Sequence, residues 1–89
     1  MKTIMQDNTD YCFRCGRYAP TDWHHIFNAA LKKKSEQYGA MIKVCRRCHD
    51  IIHTKEMEKT KALAQSKIME VYGLSTEDFI KIFRRNYLW

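Results

Sequence analysis

Long apolar runs are missing from this chain. Nowhere in its 89 residues is there a stretch near the roughly 18 apolar residues a bilayer-spanning helix needs, and the polar first ten hold no apolar leader segment. The expectation is a protein that spans no membrane and works in the cytoplasm, where thiols stay reduced. Internal repeats, low-complexity tracts and linkers are absent too. A single domain over residues 11–89 is therefore expected, with residues 1–10 as a loose lead-in. Proline occurs once, at Pro20, and the three glycines (Gly16, Gly39 and Gly73) stand where turns are expected. A chain this short has a marginal core, which a metal or disulfides usually supplement.

Acidic residues are scarce in one window. Residues 12–49 carry eight cations (Arg14, Arg17, Lys32, Lys33, Lys34, Lys43, Arg46 and Arg47) against two acids, Asp22 and Glu36. The net charge of that window equals the +6 of the whole chain, so the flanks nearly cancel. A basic surface so concentrated suits a polyanion such as nucleic acid. Lys32, Lys33, Lys34, Lys43, Arg46 and Arg47 are the expected contacts to it, and simple solvation is the alternative for the lysine run.

What the window does contain is metal-binding chemistry. Cys12/Cys15 and Cys45/Cys48 are two C-x-x-C pairs with 29 residues between them, a spacing that fits a four-thiolate structural Zn2+ site better than a disulfide framework. All four histidines lie in two runs, His24-His25 and His49-Asp50-Ile51-Ile52-His53. Residues 21–27 read as a short strand, and neighbours on a strand point to opposite sides, so His24 and His25 should have different roles. A second strand is expected over residues 40–44. The second cysteine pair then opens a helix that puts His49 and His53 at i and i+4, on one face. One of the adjacent histidines can join them as the third ligand of an open metal site, leaving the other free as a general base.

Helices are expected elsewhere from capping and periodicity. Asn28 is read as the N-cap of a helix running through Ala29, Ala30, Leu31 and the lysines to Gly39, with a basic loop as the alternative. Residues 56–72 carry Met57, Ala64, Ile68 and Val71 or Tyr72 at helical spacing, with Gly73 as C-cap. Ser75 and the acids after it start a last helix with Phe79, Ile82 and Phe83 on one face, and residues 86–89 are expected to close the core.

At these residues the sequence resembles the HNH endonuclease family, through His24-His25-Ile26 and Cys45-Arg46-Arg47-Cys48-His49-Asp50-Ile51-Ile52-His53. It is similar in particular to small phage HNH proteins related to RecA-dependent recombination nucleases. Lys33-Lys34-Ser35-Glu36-Gln37-Tyr38-Gly39 and Ile82-Phe83-Arg84-Arg85-Asn86-Tyr87-Leu88 also match that group. The resemblance implies an α+β fold: a zinc-stabilised ββα-metal core over residues 11–54, with packing helices over 55–89. It implies a metal-dependent DNA endonuclease of low sequence specificity. His24, His49 and His53 would be metal ligands and His25 the general base for an attacking water. The catalytic ion would be Mg2+, Mn2+, Ni2+, Co2+ or Zn2+, beside the structural Zn2+. Single- or double-stranded DNA would be the substrate, a host recombination protein a further partner, and the host cytoplasm the place of action. The family's middle asparagine has no counterpart in residues 40–44, which leaves Asn28 or a backbone carbonyl to orient the base. Two other functions fit the same residues: a non-catalytic zinc-stabilised nucleic-acid-binding module, and a recombination adaptor that docks through its C-terminal helices.

Overall fold

The computed structural model describes residues 3–88. Strand β1 (Thr21–His25) leads through a 3₁₀ turn (Ala29–Leu31) into helix α1 (Lys32–Tyr38). Strand β2 (Met41–Cys45) follows, then helices α2 (Arg46–Lys55), α3 (Met57–Tyr72) and α4 (Thr76–Phe83). The fold is α+β, a two-stranded antiparallel sheet with four helices. Among the described residues no helix is long and apolar enough to cross a membrane.

β1 and β2 pair with Trp23 opposite Lys43 and His24 opposite Ile42. A buried serine holds the intervening connection in shape. Ser35 Oγ donates to Ala40 O at 2.6 Å and accepts from Phe27 N at 3.1 Å, so both ends of the connection are tied to α1. Gly39, at φ 73°, ends α1 in the left-handed conformation expected of it. The start of α1 differs from expectation. Asn28 precedes the 3₁₀ turn but makes no side-chain cap bond, and Ala29 sits at φ 53°. That backbone angle interrupts a continuous helix, so α1 begins at Lys32.

Within the lead-in expected over residues 1–10, Thr3, Ile4 and Gln6 reach the second edge of β2 and the glycine before it. Thr3 Oγ1 donates to Met41 O, Ile4 N donates to Gly39 O at 3.0 Å, and Gln6 Oε1 accepts from Lys43 N at 2.6 Å. Phe13 N donates to Lys43 O at 2.9 Å. A two-stranded sheet has two open edges, and these bonds satisfy groups on one of them.

The core gathers Ile26, Phe27, Ile42, Val44, Ile52, Ala64, Ile68, Phe79 and Phe83. Phe79 and Phe83, one turn apart on α4, stack with ring centroids 4.6 Å apart, and Phe83 lies 4.5 Å from Phe27. The N-terminus of α4 is fixed by a reciprocal capping box between Ser75 and Asp78. α3 ends at Gly73 as expected, but its inner face is Thr60, Ala64, Gln65 and Ile68, while Val71 and Tyr72 are exposed. Gln65 is buried because the C-terminal tail saturates its amide: Nε2 donates to Asn86 Oδ1 at 2.8 Å and Oε1 accepts from Tyr87 N at 2.6 Å. Tyr87 in turn packs 5.4 Å from Phe27. Trp89, also expected to close the core, lies outside the described residues.

Candidate metal centres

The first cysteine pair sits on a loop closed at its neck. Cys12 N donates to Arg17 O, and Gly16 N to Cys12 O, both at 2.9 Å. Gly16 takes φ 74°, a conformation that favours glycine because a Cβ there is strained. The second pair straddles a junction: Cys45 ends β2 and precedes the first turn of α2, which carries Cys48. Docking of the loop on β2 brings all four thiols together. None is in a disulfide, and their Sγ atoms all lie within 4.8 Å of one another, with Cys15 and Cys45 3.9 Å apart. A tetrahedral Zn2+ with bonds of about 2.3 Å needs sulfurs about 3.8 Å apart, so this group can hold a structural metal ion.

Electrostatics divide the cluster, favouring the thiolate at Cys12 and the thiol at Cys48. Burial pushes the Cys12 thiol up, but N–H donors from Cys15, Cys45 and Arg14 outweigh it and bring the group down to about 6. Cys48, pushed up by burial and by its sulfur neighbours, stands at about 12 and gains one opposing hydrogen bond from Arg14. That guanidinium donates to Cys48 Sγ at 3.7 Å and holds both oxygens of Glu56, at 2.8 and 2.9 Å. Arg14 stands in the basic window, but its 42-residue separation from Glu56 leaves no local signal for the pair.

The histidines form a second group. His24 on β1 is buried, and His49 and His53 project from successive turns of α2. One ring nitrogen from each lies within 4.8 Å of the others, and His49 Nε2 is 3.1 Å from His53 Nε2. For imidazole bonds of about 2.0–2.1 Å, a shared ion needs nitrogens about 3–3.4 Å apart, so small adjustments would let the three converge on one metal. Burial above all, then the neighbouring His53, His49 and His25, lowers His24 to about 4. Its ring is thus neutral at pH 7, the form that binds metal.

His25 points elsewhere, as alternation along a strand requires. Its Nε2 lies 3.1 Å from Glu36 Oε1 on α1. His25 nevertheless borders the same open cleft of ≈ 240 Å³ as the other three histidines, together with Trp23, Asn28 and Lys32. Asn28 stands at the cleft, but no hydrogen bond joins its side chain to His25 among those of the described residues; the partner is Glu36. The only clue in the sequence was that Glu36 is one of two acids in a strongly basic window.

The expected basic contacts divide among three places. Lys32 lines the histidine cleft, whereas Lys33 and Lys34 are exposed farther along α1. Lys43 lies over the Trp23 ring, 5.3 Å from its centroid. Arg46 and Arg47 are exposed on the first turn of α2, where Arg47 borders a hollow beside Cys15, Cys45 and Cys48. No protein-family model matches the chain, and neither does any curated protein or solved structure, so both centres are read from their own chemistry.

Proposed function

We propose that the protein is a metal-dependent DNA endonuclease that hydrolyses phosphodiester bonds, with a ββα-metal core of the HNH kind formed by β1, β2 and α2. The observation that carries this reading is the meeting in one open cleft of three imidazoles at near-ligand spacing and a fourth paired with a carboxylate. A pure binding module has use for the first group and none for the second. The HNH resemblance of His24-His25-Ile26 and of the run from Cys45 to His53 supports the same reading, as does the basic window around them. A phage origin and a host recombination protein as partner belong to the proposal through that resemblance.

A divalent ion held by His24, His49 and His53 would supply Lewis-acid stabilisation of the charge that develops on a phosphate. His25 handles the proton. Ionised carboxylate oxygens only accept, so Nε2 carries the hydrogen given to Glu36 and Nδ1 remains an acceptor. That nitrogen takes a proton from the water whose oxygen attacks phosphorus, as the bond to the leaving 3′ oxygen breaks. Glu36 keeps the ring in this tautomer and stabilises its cationic form, the part left open by the missing asparagine. Lys32 at the rim holds the adjoining backbone.

The test is a nicking assay on protein freed of weakly held metal but retaining its cysteine-bound zinc. Supercoiled plasmid and circular single-stranded DNA are incubated with Mg2+, Mn2+, Ni2+, Co2+ or Zn2+, with His25→Ala in parallel. Metal-dependent cleavage that the variant loses, while keeping fold and metal, is the expected result. No cleavage above the variant with any ion or substrate, with and without a recombination protein, would overturn the reading.

A further inference from the structure

The first cysteine loop carries two tyrosines that the core does not use. Tyr11 and Tyr18 face each other as an antiparallel bridge across its neck, their rings edge to face at 5.4 Å. Tyr18 is 76% exposed and Tyr11 45%, so neither ring contributes much burial to folding. Beside Tyr18 lies a hollow of ≈ 410 Å³ walled by Asp10, Ala19, Pro20, Thr21 and Lys43. Lys43 links this hollow to the histidine cleft. It stands directly across the sheet from Trp23 and over its ring, and Trp23 lines the cleft. Strand alternation sets Trp23 and His25 on the same face of β1. A row of aromatic, cation and aromatic therefore runs from Tyr18 over Lys43 and Trp23 to the histidines.

We propose that this row is a binding track for an unpaired nucleic-acid strand, with a base seated against Tyr18 in the hollow and Lys43 on the backbone leading to the cleft. The inference rests on the nuclease reading and deepens it by naming the substrate form. Stacking on a protein ring requires a base with a free face, which a base inside a duplex lacks and an unpaired one offers. The charges agree with that placement. Lys43, on the wall of the hollow, attracts the backbone. Asp10 on the wall of the hollow repels phosphate but accepts a hydrogen bond from a base N–H, so the hollow suits the base. The closed neck of the loop and the cysteine cluster behind it hold the rings in place, which keeps the ordering cost of binding low.

The experiment measures binding without turnover, by fluorescence anisotropy, on the full chain carrying His25→Ala and its cysteine-bound zinc. The probes are a labelled deoxythymidine oligomer, the matching uridine oligomer and a duplex of equal length. Tyr18→Ala should weaken single-strand binding by about tenfold while changing duplex binding less than about twofold, and Tyr18→Trp should restore it. Loss on either single strand supports the track, and the strand that shows it, DNA or RNA, identifies what is held. An unchanged single-strand affinity, or an equal loss on the duplex, overturns it. If the protein with His25 intact cleaves nothing but Tyr18 still governs single-strand binding, the nuclease reading fails and the track stands. Should it cleave while Tyr18→Ala leaves binding unchanged, the track alone fails.

Discussion

Glu36 is the residue on which the proposed chemistry can be tested most sharply. Its carboxylate lies 3.1 Å from His25 Nε2, with the histidine side chain 17% exposed and the glutamate 40% exposed. At this distance a full charge pair is worth about 1 kcal/mol in water and about 5 kcal/mol at an effective dielectric of 20. Solvent reaches the glutamate, so the lower part of that range applies, about 1–3 kcal/mol. If that interaction is made with the imidazolium formed as the water is deprotonated, its loss lowers kcat by about 5- to 150-fold. Glu36→Ala should show that loss in plasmid nicking, with KM and the affinity for the divalent ion nearly unchanged, because Glu36 is outside the group of three converging imidazoles. Glu36→Gln keeps an acceptor for Nε2–H but no charge, and should fall between the two. Full activity in Glu36→Ala would refute the reasoning. So would a loss that appears only as weaker metal binding, since the residue would then shape the cleft without acting on His25.

Three further outcomes follow from other parts of the molecule. Arg14→Ala removes the donor to Cys48 Sγ and the clasp on Glu56, and zinc transfer to a colorimetric chelator should become about tenfold faster; an unchanged rate would mean that the guanidinium does not support the cluster. Arg84 terminates α4 at φ 70°, so Arg84→Gly should stabilise the fold by about 1 kcal/mol. The matching rise in Tm, about 4–8 °C for a domain of this size, is measurable by calorimetry, and no rise would show that the angle relaxes at no cost. His24 is lowered from 6.5 to about 4, first by burial, so as pH falls the unfolded chain takes the proton before the folded one does. With the histidines free of metal, this contribution is complete above 6.5 and is lost toward pH 4, by up to roughly 3 kcal/mol. Urea titrations at several pH values should find a shallower dependence in His24→Gln, and parallel curves would contradict the assignment.

Residues whose partners are close in sequence, or whose chemistry is itself the signal, were legible before the fold was known. The thiols at x-x spacing, the histidines one helical turn apart, Gly39 and Gly73 at helix ends and the Ser75 cap are all of this kind. What escaped depends on contacts that only the folded chain makes. Gln65 has a side chain that predicts exposure, and it is buried because Asn86 and Tyr87 complete its hydrogen bonds. Thr3 and Gln6 look like solvent-facing polar residues, yet they serve backbone groups at the open edge of β2. Glu36 is set 11 residues from His25, beyond the reach of any helix or strand period. In each case a polar side chain found its partner through tertiary placement, and hydrophobic periodicity carries no information about such pairs.

The same dependence explains why the two centres are built on one short segment. β2 ends at Cys45 and α2 begins at the next residue, so sulfur ligands occupy the junction while His49 and His53 extend along the helix. A metal at the cysteines would fix the start of α2 against the first loop and against β2. β2 in turn fixes β1, and β1 carries His24 and His25. Three rings on two separate elements reach one point only if the angle between strand and helix is held. In a chain of 89 residues, the junction is held by apolar side chains, Val44, Cys48 and Ile52, buried in the same core as Phe27, Phe79 and Phe83. A metal held by the four cysteines, with Arg14 and Glu56 clasping the group from outside, would add a crosslink to that packing, and its value to the histidine group would be positional: it would bring no chemistry to the cleft, but would set where the imidazoles meet.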